Sequence, residues 1–375
     1  MVVRSLLIYR LTGSVAIVGS LALANAIPTL LVSLLGGAIA DRAQKKYILL
    51  ASRIGLSMVA LGIAFALASG YLSPQNQGSW WVLMAGAALE GILNGFVYPT
   101  NMSIIPEIVS RERLMNAISL STMGQNIFRL VGPALAGYLI DTYDFVAVYF
   151  LMFGIYIIAT IFTGFLPRTS VRAVRGGSPL TDMVQGIRYI GRETIILLIV
   201  IFFVSHVIFG QPFNVLLPVF TDSILKVSAS KMGLLISVAG IGALLGSLIL
   251  ASAPSRKRGM LLILSALAMG LPIIVFSFTR SWYISLAMMP FIGFAPSIHA
   301  TLSATLVQSY ADPDYRARMQ SFVTMAGGLA SFGTFLTGIM AEATGVQWAV
   351  GGMAIGLTLV GIVFLLFAPR LRKLD

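Results

Sequence analysis

The chain has 375 residues, of which 58% are hydrophobic and only 10% charged, whereas a soluble domain carries roughly 25% charged residues, so no soluble core could hide this much apolar surface. Having no cysteine excludes disulfides, thiolate metal sites and a cysteine nucleophile. Two histidines, His206 and His299, are too few for an all-protein transition-metal site, so neither a metal nor a cofactor is expected.

A bilayer core of about 30 Å takes about 20 apolar residues at 1.5 Å rise. Runs of that kind occupy residues 14–40, 47–71, 80–105, 117–140, 145–166, 195–220, 232–253, 259–278, 282–307, 321–341 and 348–368. The chain therefore reads as an all-α integral membrane protein with about 11 transmembrane helices. Cations crowd alternate connections: Arg42, Lys45 and Lys46, then Arg111 and Arg113, then five arginines from Arg168 to Arg192, then Arg256 to Arg258, Arg316 and Arg318, and Arg370 to Lys373. The positive-inside rule makes those connections and the C-terminus cytoplasmic in a multi-pass protein of the cell (inner or plasma) membrane. The formal charge of +12 is thus a topology signal with some affinity for anionic lipid heads, and no nucleic-acid partner is implied.

The longest polar connection divides the chain into an N-terminal helical bundle (1–166), a cytoplasmic linker (167–193) and a C-terminal six-helix bundle (194–375). Within the linker, Leu180, Met183, Val184, Ile187 and Tyr189 have the spacing of an interfacial amphipathic helix. The halves echo one another. Arg111-Glu112-Arg113 before Asn116 to Ser119 resembles Asp314 to Arg318 before Met319 to Ser321, the trace that parallel repeats leave in a two-halved transporter.

Gly37-Ala-Ile-Ala-Asp41-Arg42-Ala-Gln-Lys45-Lys46, between the first two spans, resembles the signature loop of the major facilitator superfamily. Arg113-Leu-Met-Asn116-Ala117 and Arg129-Leu-Val-Gly132-Pro133-Ala-Leu-Ala-Gly137 resemble the fourth-to-fifth-helix region of its drug and siderophore exporter branch, the enterobactin-exporter-like group. The resemblance covers nearly the whole chain and implies the two-bundle fold of that superfamily. It also implies a conformational latch of Gly37, Asp41, Arg42, Lys45, Lys46 and Arg113, and an antiporter-type bending motif at Gly132, Pro133 and Gly137; the plainer readings are a basic topology loop and a kink with tight packing. The usual fold has 12 helices, and Leu6 to Tyr9 with Thr12 to Ser14 resemble the end of its first. Most of that helix is expected to be lacking, through a start at Met1 placed too late or because the chain is a fragment. The N-terminus would then lie outside, with Arg4 and Arg10 on the disfavoured face.

Charges inside spans cost about 2.5 to 3.5 kcal/mol each at mid-bilayer unless they face protein or water. Glu90 and Arg129 lie at similar depth on neighbouring spans, so they are expected to pair, with the carboxylate protonated in one transport state; a permanent structural pair, or Arg129 bonding carbonyls freed by Pro133, fits the same positions. His206 and His299 are either further coupling groups or packing residues. Asn126, Gln211 and Asn214 are either substrate-cavity lining or polar glue between helices.

No nucleophile set, metal motif or phosphate-binding glycine loop is present, so no catalytic residue is assigned and the chain does not read as an enzyme. The expected function is secondary active transport: proton-coupled efflux of a small amphipathic organic molecule (drug, siderophore or metabolite) by alternating access, carried out by a monomer among membrane lipids. The competing reading is a non-transporting remnant, a fragment, or a membrane partner subunit.

Overall fold

In lipid every backbone N–H and C=O must be satisfied within the protein, which leaves a long apolar chain little choice but to coil. The structure, a computed structural model, describes residues 1–42, 44–76, 78–167, 185, 188–252, 256–312, 315, 319 and 328–375. Among the described residues every regular element is helical. We number the principal helices α1 (Val2–Thr12), α2 (Val15–Arg42), α3 (Lys45–Ala68), α4 (Trp81–Ile108), α5 (Leu114–Gly164), α6 (Thr194–Gly210), α7 (Pro212–Ser223), α8 (Ala229–Ser252), α9 (Arg258–Phe278), α10 (Trp282–Tyr310), α11 (Leu329–Thr344) and α12 (Val346–Phe367).

Nine helices among the described residues are long and apolar enough to cross a membrane, α6 and α7 together forming one of them. Each expected span has a described counterpart. Helix α5 has 51 residues, which would rise about 76 Å if straight, more than twice the hydrocarbon thickness. It supplies two spans because it breaks at Asp144 (φ 71°, ψ 175°), between Asp141 and Phe145 where the sequence places a connection. Helix α11, 16 residues long, is the described part of the span expected at 321–341, whose first residues lie outside the described part. The same holds for most of the amphipathic linker helix, although its described end is helical and buries Tyr189 and Ile190. Tyr189 stacks on Tyr315 at 4.2 Å, and its hydroxyl accepts the N–H of Asp312, tying that end to the connection after α10.

Asp144 occupies a backbone region that is nearly glycine-only and costs about 1–3 kcal/mol for other residues. Its carboxylate offsets part of this by accepting the Phe145 N–H at 2.7 Å, an N-cap for the second arm of α5. Asp144→Gly is therefore expected to raise thermal stability by about 1 kcal/mol, and Asp144→Ala, which keeps the strain and loses the cap, to lower it by about 1 kcal/mol. Melting curves of the two variants check the opposite signs.

Helix α1 was not expected as an element of its own. Its 11 residues are too few to span a bilayer, yet it buries Arg4, Ser5, Leu6, Leu7 and Ile8 against its neighbours. It packs on α7, α2 and α5. Elsewhere α2 packs on α4, and α3 on α4 and α5; α9 packs on α10 and α12, and α11 on α12. Two long seams join these groups, α5 along α8 and α2 along α11. Apolar side chains such as Phe162, Phe165, Leu248 and Phe367 point outward from the bundle, as hydrocarbon surroundings permit.

Candidate functional site

One shielded ion pair ties α1 to α4. Both Arg4 Nη atoms donate to Glu90, Nη1 to Oε2 at 2.9 Å and Nη2 to Oε1 at 2.5 Å. The side chains are 5% and 18% exposed, so the two-point contact is shielded from bulk water. A planar guanidinium matched to a carboxylate in this way is among the stronger charge-assisted contacts available to a protein.

This corrects the expected Glu90–Arg129 pair. Depth along the membrane normal does not say which way a side chain points. In this region α5 presents Leu130 to α8, where the Leu130 carbonyl accepts the Ser237 hydroxyl at 2.5 Å. Arg129 is one residue away, exposed, and has no ion-pair partner among the described residues. Arg4, expected on the outer face, is buried at Glu90 because α1 folds into the bundle.

Of the expected latch, the backbone of Gly37, Asp41 and Arg42 closes α2, while the side chains there lie outside the described part. Lys45 and Lys46 are not simply turned to water and lipid. The Lys45 ammonium is buried against Glu107 at the end of α4, and Lys46 donates to the Gly164 carbonyl at the end of α5 at 2.5 Å. Both cations thus sit at helix C-termini, where the carbonyl dipoles favour them. Glu107 was not singled out from the sequence; an acid one residue from a helix end on the same face as the basic loop was the available signal. Arg113 is exposed at the end of the short turn Arg111–Arg113.

The histidines meet. His206 of α6 and His299 of α10 are 2% and 1% exposed and stack with ring centroids 3.6 Å apart and planes 7° apart. His299 Nδ1 lies 3.2 Å from the Ser265 hydroxyl, and Phe203 and Phe202 flank its ring. Both His206 nitrogens and His299 Nε2 have no hydrogen-bond partner among the described residues. Ninety-three positions separate the two in sequence, so only tertiary packing reveals the pair.

Asn126 lines a groove of about 530 Å³ between α5 and α8 with Ser119, Thr122, Met123, Leu130 and Leu244. Gln211 occupies the junction of α6 and α7, and its Oε1 accepts the Asn214 amide at 3.1 Å. Helix α5 keeps helical dihedrals through Gly132 and Pro133, its one break being Asp144. Gly137 instead serves close approach: a Cβ there would stand 2.2 Å from the Ala229 carbonyl oxygen of α8.

A sequence model of the Major Facilitator Superfamily matches residues 2–334. The chain belongs to this superfamily. Membership makes it a membrane transporter rather than an enzyme, and its curated relatives agree. An enterobactin exporter EntS of Shigella boydii is 25% identical over 355 residues, covering 91% of this chain and 80% of the relative. A protein of the same name from Escherichia coli O1:K1 matches to the same extent. Among solved structures, the nucleoside transporter NupG superposes with a TM-score of 0.76 at 16% identity, covering 98% of this chain and 94% of that one. A bacterial homologue of the human lysosomal transporter Spinster, inward-facing and unoccupied, gives 0.70 at 15% identity, covering 99% and 94%. At such identities the two structures speak for the fold alone.

Proposed function

We propose that the chain is a proton-coupled exporter of a small amphipathic organic molecule, working by alternating access. The bundle 1–166 rocks against the bundle 194–375 about the linker 167–193, in a monomer whose basic loops and C-terminus face the cytoplasm of a cell (inner or plasma) membrane. The observation that carries this reading is Glu90. Among the described acidic residues it alone stands more than one turn from a helix end or break, and it is held by Arg4. A carboxylate at that depth is costly and needs a reason, and pairing with a cation in one state and a proton in another supplies one.

The enterobactin exporters among the relatives support outward transport of an organic molecule. Asn126 in its groove, with Gln211 and Asn214 at a helix junction, offers polar points on apolar walls that suit an amphipathic cargo. The His206–His299 stack is a further coupling candidate, as is Arg129, whose fixed positive charge can serve as a counter-charge. Gly37, Asp41, Arg42, Lys45, Lys46 and Arg113 form the latch of the cytoplasmic face, anchored through Lys45 to Glu107. Pro133 and Gly137 set how closely α5 approaches α8, which is the form the antiporter-type role of the Gly132-Pro133-Gly137 motif takes here.

Cells expressing the chain are expected to accumulate less ethidium, or to release a catecholate siderophore faster, than cells without it. A protonophore should abolish the difference, and so should Arg4→Gln combined with Glu90→Gln, which removes both charges together. Export that survives the protonophore would overturn proton coupling; no export of either probe would overturn the exporter reading.

A further inference from the structure

On the face opposite the basic loops, the two seams end in the same device. Asp141, at the end of the first arm of α5, reaches across to the N-terminus of α8: Oδ1 accepts the Ala229 N–H at 3.0 Å and Oδ2 the Ser230 N–H at 2.8 Å. Glu342, near the end of α11, does the same to α2: its Oε2 accepts the Val15 N–H at 2.9 Å, the Ala16 N–H at 3.1 Å and the Ser14 hydroxyl at 3.1 Å. In each receiving helix the first two N–H groups therefore go to a carboxylate from another helix. The third goes to the preceding serine, Lys231 N–H to Ser228 Oγ at 3.4 Å and Ile17 N–H to Ser14 Oγ at 3.3 Å.

The correspondence extends into the packing. Four residues before each acid stands a glycine, Gly137 or Gly338, and a Cβ there would lie 2.2 Å from the Ala229 carbonyl oxygen or 2.9 Å from the Val15 carbonyl oxygen, the first residue of the receiving helix in both cases. Four residues into each receiving helix stands another glycine, Gly233 or Gly19. A Cβ on these would lie 2.3 Å from the Pro133 carbonyl oxygen or 3.1 Å from that of Thr334, again equivalent positions, four residues before Gly137 and Gly338. Acid, first-turn donors, serine cap and four glycines thus recur as a set, although the two stretches of sequence share little else.

We infer that Asp141 and Glu342 are a matched pair of clasps that hold this face of the transporter closed, one on each seam between the bundles. The inference rests on the alternating-access reading. Four orphan N–H groups begin every helix, and a carboxylate there gains both hydrogen bonds and the favourable end of the helix dipole. Here the acceptor belongs to the opposite bundle, so the contact exists only while this face is shut. Opening strips both helix ends together, and water takes over their donors. Glycines at the four crossing points let the backbones close up far enough for the carboxylates to reach. Asp141 and Glu342 are positioning residues: they set the balance between closed and open and touch no cargo.

The chain has no cysteine, so spin labels can be placed at Tyr71→Cys, three residues past the end of α3, and Tyr283→Cys on the start of α10 without background. Distances between them, measured by double electron–electron resonance in lipid nanodiscs, read the opening directly. Asp141→Asn and Glu342→Gln keep size while losing charge and one acceptor. Each is expected to raise the open-to-closed ratio about fivefold, the usual scale of a lost helix cap, and the double variant by about the product of the two. Asp144→Asn, at a carboxylate three residues away that among the described residues bonds only the adjoining Phe145 N–H, should leave the ratio unchanged. A structural cap alone would lower the melting temperature without moving the distance distribution. Unchanged distances in both single variants and the double would overturn the clasps even if export proceeds; shifted distances would support them even in a chain that exports nothing.

Discussion

Glu90→Gln is expected to destabilise the folded chain by about 3–5 kcal/mol, the usual cost of leaving one partner of a buried ion pair alone. The Arg4 guanidinium would stay where it is, 4% exposed and too short of room to snorkel, with an amide that can accept from only one of its two donating nitrogens. Arg4→Leu should cost a similar amount by stranding the carboxylate. Arg4→Leu together with Glu90→Leu should recover most of the loss, because two apolar groups of similar volume need no partner. Thermal unfolding of the parent, Arg4→Leu, Glu90→Leu and the double variant in one detergent closes the cycle, and a double variant as unstable as the sum of those singles would show that the pair is not the unit described. The recovered double variant also separates roles: if Glu90 carries the proton, that protein is folded and inactive.

The spans were legible because hydrocarbon thickness imposes one length and one composition on every helix that crosses it, and this signal survives in single sequences. Even the break in α5 was visible, since Asp141 and Asp144 interrupt the apolar run. What the sequence hides is the direction a side chain faces. A common depth suggests Glu90 and Arg129 as partners, whereas the actual partner, Arg4, falls on the outer face once eleven spans and a cytoplasmic C-terminus put the N-terminus outside. The same blindness explains Lys45, whose partner Glu107 lies 62 positions away, and the two histidines, which only the crossing of α6 and α10 stacks. No motif in the sequence marks Asp141 or Glu342. Their partners are backbone N–H groups, which carry no signature of their own, and the one readable trace was a glycine four residues before each acid.

Not all close crossings in this bundle should respond alike to an added methyl group. A Cβ on Gly293 of α10 would lie 1.8 Å from the Ala239 carbonyl oxygen of α8, and one on Gly242 of α8 would lie 2.0 Å from the Pro290 carbonyl oxygen of α10. The obstacle is backbone in both cases, so no rotamer change relieves it and the helices must separate, at about 1–3 kcal/mol or more per site. Both helices belong to the bundle proposed to move as one body, and no state of the cycle offers them extra room. Gly293→Ala is therefore expected to lower the melting temperature and the yield of monodisperse protein in every condition. Gly137→Ala meets the Ala229 carbonyl oxygen at 2.2 Å, nearly as severe a clash, but across a seam that the proposed cycle opens. The chain can escape that clash by shifting toward the open state, so Gly137→Ala should yield well-folded protein whose spin-label distances lengthen. If Gly137→Ala unfolds as readily as Gly293→Ala, the seam between α5 and α8 is part of a permanent core, and the motion must be sought elsewhere in the bundle.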